Sequence, residues 1–240
     1  MLLLFIPTFI QAQKNIETSN QQWFQYYNQV HFSEKFSLLS DIGFRMKEQF
    51  SHAAQHVIRT GVGYQLNKEC RLVVGIGHFG SYSSERINKI EFRPYQELTL
   101  KQKLEKVGLT HRFRVEERYF KTIENGNIIA GTTFNFRFRY RFAIGIPIVS
   151  FSNIKISFQV ADEILINAGR SIVYNMFDQN RILLGPEVQF NHQFSISLNY
   201  NYQYAALNKP AYYKSDHILW LGLMHKLTLK EAKKPESPLP

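Results

Sequence analysis

The clearest regularity along the chain is an alternation of large apolar and polar residues with period 2. It is sharpest over residues 134–147. Phe134, Phe136, Phe138, Tyr140, Phe142 and Ile144 hold one set of alternate positions, and Asn135, Arg137, Arg139, Arg141, Ala143 and Gly145 hold the other. Successive side chains of a strand point to opposite faces, so this pattern predicts a strand with one apolar and one polar face. A helix would mix the two sets around its circumference. Residues 109–120 repeat the pattern, with Leu109, His111, Phe113, Val115 and Tyr119 against Thr110, Arg112, Arg114, Glu116 and Arg118. Residues 194–204 set Phe194, Ile196, Leu198, Tyr200, Tyr202 and Tyr204 against Ser195, Ser197, Asn199, Asn201 and Gln203. Weaker versions fall at 23–32, 36–45, 56–66, 71–79, 92–100, 154–167, 177–190 and 217–227. The reading is of about eleven strands, most near the length that crosses a bilayer at a tilt.

The segments between these strands alternate in length. Short ones fall at Ser33-Glu34-Lys35, Asn67-Lys68-Glu69, 101–106, 149–153 and Asn191-His192-Gln193, and longer ones at 46–55, 80–91, 121–133, 168–176 and 205–216. Short periplasmic turns alternating with longer outer loops are the pattern of an outer-membrane barrel. The fold class that follows is all-β, a closed antiparallel transmembrane barrel of about 12 strands. The first connection is short, which leaves the first strand starting on the outer side. An even strand number then predicts either a twelfth strand, placed within residues 13–22, or one miscounted segment. Pro94 and Pro186 lie inside predicted strands and predict bulges or strand ends there. Gly61, Gly63, Gly75 and Gly77 recur at period 2 and read as small lumen-facing residues that leave room for long side chains opposite.

Composition changes this picture little. The chain of 240 residues carries 20 Phe and 13 Tyr but is only 44% hydrophobic, and after residue 12 no stretch is apolar enough for a helical span. The net charge of +10 raises a nucleic-acid reading, but the basic residues are spread along strands rather than gathered in a tail or on a helix. No nucleic-acid partner is expected. One cysteine, Cys70, excludes an internal disulfide and a cysteine-based metal site. No metal or cofactor is expected, and no phosphate-loop, dinucleotide or zinc-protease motif is present in the sequence.

Residues 1–10 read MLLLFIPTFI, followed by Gln11-Ala12-Gln13. An apolar run ending at a small residue predicts a signal peptide over 1–12, cleaved after Ala12. The barrel is then expected over 13–229, and the charged, Pro-rich residues 230–240 are expected to be disordered.

With apolar residues outward, the opposite parity faces the lumen. That places Arg45, Arg59, Arg93, Arg112, Arg114, Arg118, Arg137, Arg139, Arg141 and Arg181 inside, against Asp41, Glu97, Glu116, Glu163 and Glu187. Following the chain direction, Arg118, Arg137, Arg139, Glu163, Asn167 and Arg181 fall in the outer half on neighbouring strands. Asn125-Gly126 is a hairpin signal that would set Arg114 near Arg137 and Glu116 near Asn135. The expected site is a lumen charge network of Arg112, Arg114, Glu116, Arg118, Arg137, Arg139, Glu163, Asn167 and Arg181, centred on Glu163 with Arg139 and Arg181 on its flanks.

Several of these blocks also carry a family resemblance. Trp23-Phe24-Gln25-Tyr26, Phe44-Arg45, the run His111 to Arg118, Arg137-Phe138-Arg139-Tyr140, Asp162-Glu163-Ile164 with Asn167, and the run Phe177 to Arg181 with Gly185 resemble the bacterial outer-membrane family catalogued as domain of unknown function 2490, common in Bacteroidetes. The resemblance spans nearly the whole mature chain, implies an outer-membrane barrel and carries no assigned activity. It departs from many such barrels after Lys226-Leu227, where a polar tail follows the last strand.

Three functions fit the sequence. The first is a non-enzymatic barrel in contact with outer-membrane lipid, either structural or passing or binding an anionic solute through its arginine-rich lumen. The second is a lipid-modifying hydrolase of the outer membrane. His56, His78, His111 and His217 have outward parity, and only His78 has serines close by in sequence, Ser81 and Ser83. The third is a soluble periplasmic barrel that binds a small ligand.

Overall fold

The structure, a computed structural model, describes residues 14–229. The expected signal peptide and the expected polar tail lie outside the described residues. The described chain is all strand: β1 (Asn15–His31), β2 (Phe36–Lys47), β3 (His52–Gln65), β4 (Cys70–Ser83), β5 (Arg86–Leu104), β6 (Val107–Glu124), the two-residue β7 (Asn127–Ile128), β8 (Thr133–Phe151), β9 (Ile154–Ala168), β10 (Phe177–Gln189), β11 (Phe194–Ala206) and β12 (Tyr212–Thr228). Each long strand pairs antiparallel with the next, and β1 closes the ring on β12. β7 forms only a short hairpin with the top of β6, so the barrel wall has eleven strands.

The closing pair is parallel, with Asn15 opposite Tyr212 and His31 opposite Thr228. This replaces the expected twelfth strand. Residues 15–22 contain no Gly or Pro to turn the chain, and they lead directly into the row Gln21, Trp23 and Gln25, all buried on the lumen side. With no such residue to reverse the chain, they lengthen β1 instead of forming a hairpin with it. An odd number of up-and-down strands can close only through one parallel pair, and such barrels exist. Trp23 and Trp220 are direct partners across that seam and pack edge-to-face, with centroids 5.0 Å apart.

The loop alternation is weaker than the sequence suggested, because several strands continue past their apolar stretch. Residues 80–91 are not a long loop. β4 runs to Ser83, β5 starts at Arg86, and the turn is Ser84-Glu85, both left-handed with φ of 48° and 61°. Non-glycine residues seldom adopt that conformation, so the sequence carries no turn signal there. Pro94 and Pro186 cause neither a bulge nor a strand end. Each interrupts the ladder on one side only, toward β6 and β11 respectively, and the register resumes unshifted beyond it.

The glycine row works as spacing. A Cβ at Gly75 would come within 2.5 Å of the Tyr95 hydroxyl and of Thr60 O, so the inward Tyr95 ring occupies the room that Gly75 leaves. At Gly185 a Cβ would sit 2.1 Å from Leu198 O, which makes glycine necessary for β11 to approach β10 there. The lumen is filled by side chains. Trp23, Val57, Val73, Phe79, Leu165 and Ile218 are buried on the inner face beside the arginines and acids.

Candidate functional site

Strand parity aims one polar row of every strand at the barrel axis, and register then decides which rows meet. One row crosses the wall directly: Arg71 lies opposite Thr99, Thr99 opposite Arg112, Arg112 opposite Arg141, Arg141 opposite Glu163, and Glu163 opposite Arg181. The row above it pairs Glu97 with Arg114 and Arg114 with Arg139. The next pairs Tyr95 with Glu116 and Glu116 with Arg137. Acids and guanidinium groups therefore meet across neighbouring strands.

All nine expected residues fall into one connected cluster, but it has two centres. Glu116 is fully buried and lies within ion-pair distance of four guanidinium groups: Arg137 Nη2 at 2.5 Å, Arg139 Nη1 at 2.6 Å, Arg93 Nη1 at 3.3 Å and Arg114 Nη1 at 3.7 Å. Glu163, 2% exposed, accepts from Arg112 Nη2 at 2.6 Å and Arg139 Nη2 at 2.7 Å, with Arg181 Nη1 at 3.5 Å. Arg139 joins the two, donating to both carboxylates. Arg114 donates to Glu97 from Nε at 2.7 Å and stands over the Tyr95 ring, 4.5 Å from its centroid. Arg181 donates from Nε to Gln203, which donates onward to Asp216.

Toward the long-loop end, Arg118 Nε and Arg93 Nε both donate to Glu91 Oε1 at 2.7 Å. Asn167 donates to Asp178, which also accepts from Arg137 Nη1 at 3.1 Å. The expectation of a single centre at Glu163 is corrected here: Glu116 gathers more cations and is the more deeply buried. The reason is a two-residue register difference. Asn125-Gly126 does make a tight turn, both residues left-handed (φ 50° and 81°), but it sets only the short β6–β7 hairpin. Between β7 and β8 the pairing slips by two positions. Glu116 therefore faces Arg137 rather than Asn135, and Arg114 faces Arg139 rather than Arg137.

Three acids escaped the sequence reading: Glu91, Asp178 and Asp216, the last because β12 starts before its apolar stretch. Glu91 continues the inward row of Arg93, Tyr95 and Glu97, and was missed because β5 starts earlier than its apolar stretch. Parity alone would have found it. Asp178 has outward parity and turns inward only through a register shift between Phe177 and Gln179. A bulge places two residues against one, and no residue type in that stretch announces it. Together these acids narrow the apparent arginine excess.

The outward histidines sit in aromatic company. His111 Nδ1 lies 2.8 Å from the Tyr140 hydroxyl, His217 Nδ1 2.6 Å from Tyr200, and His56 Nδ1 3.0 Å from Tyr82. His78 stacks on His56, with ring nitrogens 3.4 Å apart. Ser81 is on the other side of the wall, where it accepts from Gln55 Nε2 at 3.1 Å. Among the described residues, no serine is hydrogen-bonded to His78, whose ring neighbour is His56.

The interior space is divided. A cavity of about 200 Å³ lies among Arg45, Arg59, Arg93, Arg181 and Gln203, and a second of about 230 Å³ lies among Arg71, Lys101, Arg112 and Arg141. The Glu97–Arg114–Glu116–Arg139–Glu163 belt runs between them. Fold and interior together define a class: a closed all-β barrel whose lumen holds a buried arginine–carboxylate network. Within that class the chain belongs to the family described as protein of unknown function (DUF2490), which matches residues 20–214. A comparison with curated proteins gave no match.

Proposed function

We propose that this protein is an outer-membrane β-barrel with a structural role, its lumen closed to solute flow by the arginine–carboxylate belt. The observation that supports the membrane reading is the outer wall. Large apolar side chains stand exposed on every long strand, among them Val74 (64% exposed), Ile58 (49%), Phe138 (46%) and Phe113 (45%). A water-soluble barrel would leave these residues in water on all sides at once, far beyond the apolar patches that soluble proteins carry. A bilayer removes that cost. The orientation proposed is short turns in the periplasm and the longer segments 125–132 and 169–176 outside.

The closed reading is supported by the belt itself. Arg139, Glu116 and Glu163 are each less than 10% exposed, and their mutual bonds tie the neighbouring strands β6, β8 and β9 together on the inner face. In a narrow barrel, charged forks that satisfy one another fill the interior as side chains fill a core. Cell fractionation tests the localisation. Expressed with its leader in a Gram-negative host, the protein is expected in the outer-membrane fraction, resistant to carbonate extraction and soluble only with detergent. Recovery as a detergent-free periplasmic protein would overturn the proposal in favour of a soluble ligand-binding barrel.

A further inference from the structure

The cavity nearest the short turns is unlike the rest of the lumen. Four cationic side chains, Arg71, Lys101, Arg112 and Arg141, line it with a single carboxylate, Glu97. That carboxylate is already engaged by Arg114 through both Nε and Nη2. Arg71 and Arg141 make no ion pair among the described residues, and the Nε groups of Arg71, Arg112 and Arg141 are all buried with no hydrogen-bond partner in the protein. Buried N–H groups are ordinarily paired. Arg112 and Arg141 are also direct cross-strand partners on the same face, where like charges repel. Elsewhere in the lumen such juxtapositions are bridged: Arg114 and Arg139, also directly opposed, share Glu116. Here Glu163 bonds Arg112 Nη2 at 2.6 Å and faces Arg141 across the strand pair, and Glu97 stands 3.8 Å from Arg112 Nε, but among the described residues neither acid forms an ion pair with Arg71 or Arg141.

We infer that this cavity binds a doubly charged oxyanion of the phosphate class, held by Arg71, Arg112 and Arg141 with Lys101. The donors come from four strands, β4, β5, β6 and β8, and so approach from several directions. That suits a tetrahedral anion better than a planar carboxylate, which is best met by one guanidinium fork. Thr110 adds a hydroxyl group on the same wall, while the Thr99 hydroxyl donates to Glu97. The volume of about 230 Å³ holds a phosphate group with a few waters, each with a liquid share of about 30 Å³. The inference adds a ligand to the barrel proposed above and does not depend on the compartment the barrel occupies.

The test uses the purified full chain in a zwitterionic detergent at low salt, titrated calorimetrically with inorganic phosphate, with glycerol phosphate and with chloride. Saturable phosphate binding is expected, weakened about tenfold or more by Arg71→Gln and by Arg141→Gln, since each removes a charge-assisted contact. Arg45→Gln, in the other cavity, is expected to leave it unchanged. Phosphate should raise the melting temperature of the wild type and not that of the Arg71→Gln/Arg141→Gln variant. Should a Gln variant fail to fold, Arg141→Lys, which keeps the charge and loses the fork, is expected to weaken binding instead. Glycerol phosphate binding would mark the ligand as a phosphomonoester or headgroup, and phosphate binding alone would mark it as the free ion; both support the site. Three results would overturn it: no heat at millimolar phosphate, an equal response to chloride, or wild-type affinity in the Arg71→Gln/Arg141→Gln variant.

Discussion

Glu116→Gln is expected to destabilise the barrel by about 3–5 kcal/mol, the usual cost of removing one partner from a buried charge network. The size follows from what remains. Glu116 is fully buried and faces Arg93, Arg114, Arg137 and Arg139. Glutamine keeps the shape and loses the charge, leaving those cations to repel one another out of water. Arg137 retains Asp178 and Arg139 retains Glu163, so the network weakens without dissolving. Urea unfolding in lipid vesicles, followed by the fluorescence of Trp23 and Trp220, measures the loss. Adding Arg137→Gln to Glu116→Gln should restore part of it, because one uncompensated cation goes with it; additive losses would contradict a charge network. Glu187, bound by Gln159 and Ser195 and without an arginine partner among the described residues, provides the contrast. Glu187→Gln is expected to cost about 1 kcal/mol, the value of an ordinary hydrogen bond.

The second large effect is topological and all-or-none. Because β1 and β12 run parallel, Lys14 and Leu229 sit at opposite ends of the barrel. In a Cys70→Ser background, Lys14→Cys and Leu229→Cys are expected to differ completely in intact cells. A membrane-impermeant maleimide should label Lys14→Cys, beside the longer loops, and spare Leu229→Cys until the outer membrane is opened. A barrel closed by an antiparallel pair would put both positions on one side, and equal labelling of both would refute the parallel seam.

Much of this was readable from residue order alone. Period-2 alternation is a direct consequence of strand geometry, so the eleven wall strands, their two faces and the inward arginines were legible before any pairing was known. Register was legible only where a turn enforces it. The connection 168–176 joins the strands that carry Glu163 and Arg181, and the expected flanking of Glu163 by Arg181 is observed as a direct cross-strand pair. Asn125-Gly126 fixed its own hairpin, but the two-position slip arises in the segment 129–132 between β7 and β8, where Gly131 is left-handed (φ 101°) and does not say by how many residues the register moves. Asp178 was hidden for a similar reason: one bulge reverses parity locally. The closure was hidden because strand number is a property of the whole ring. No local pattern in residues 15–22 says which strand, or which direction, they will meet.

The proposed closure of the lumen by the belt through Glu116, Arg139 and Glu163 is tested most directly by planar-bilayer recording of the purified wild-type protein. Insertion without a steady current above the bare-bilayer baseline is the predicted result. Stable, anion-selective conductance steps from the wild-type protein would contradict it.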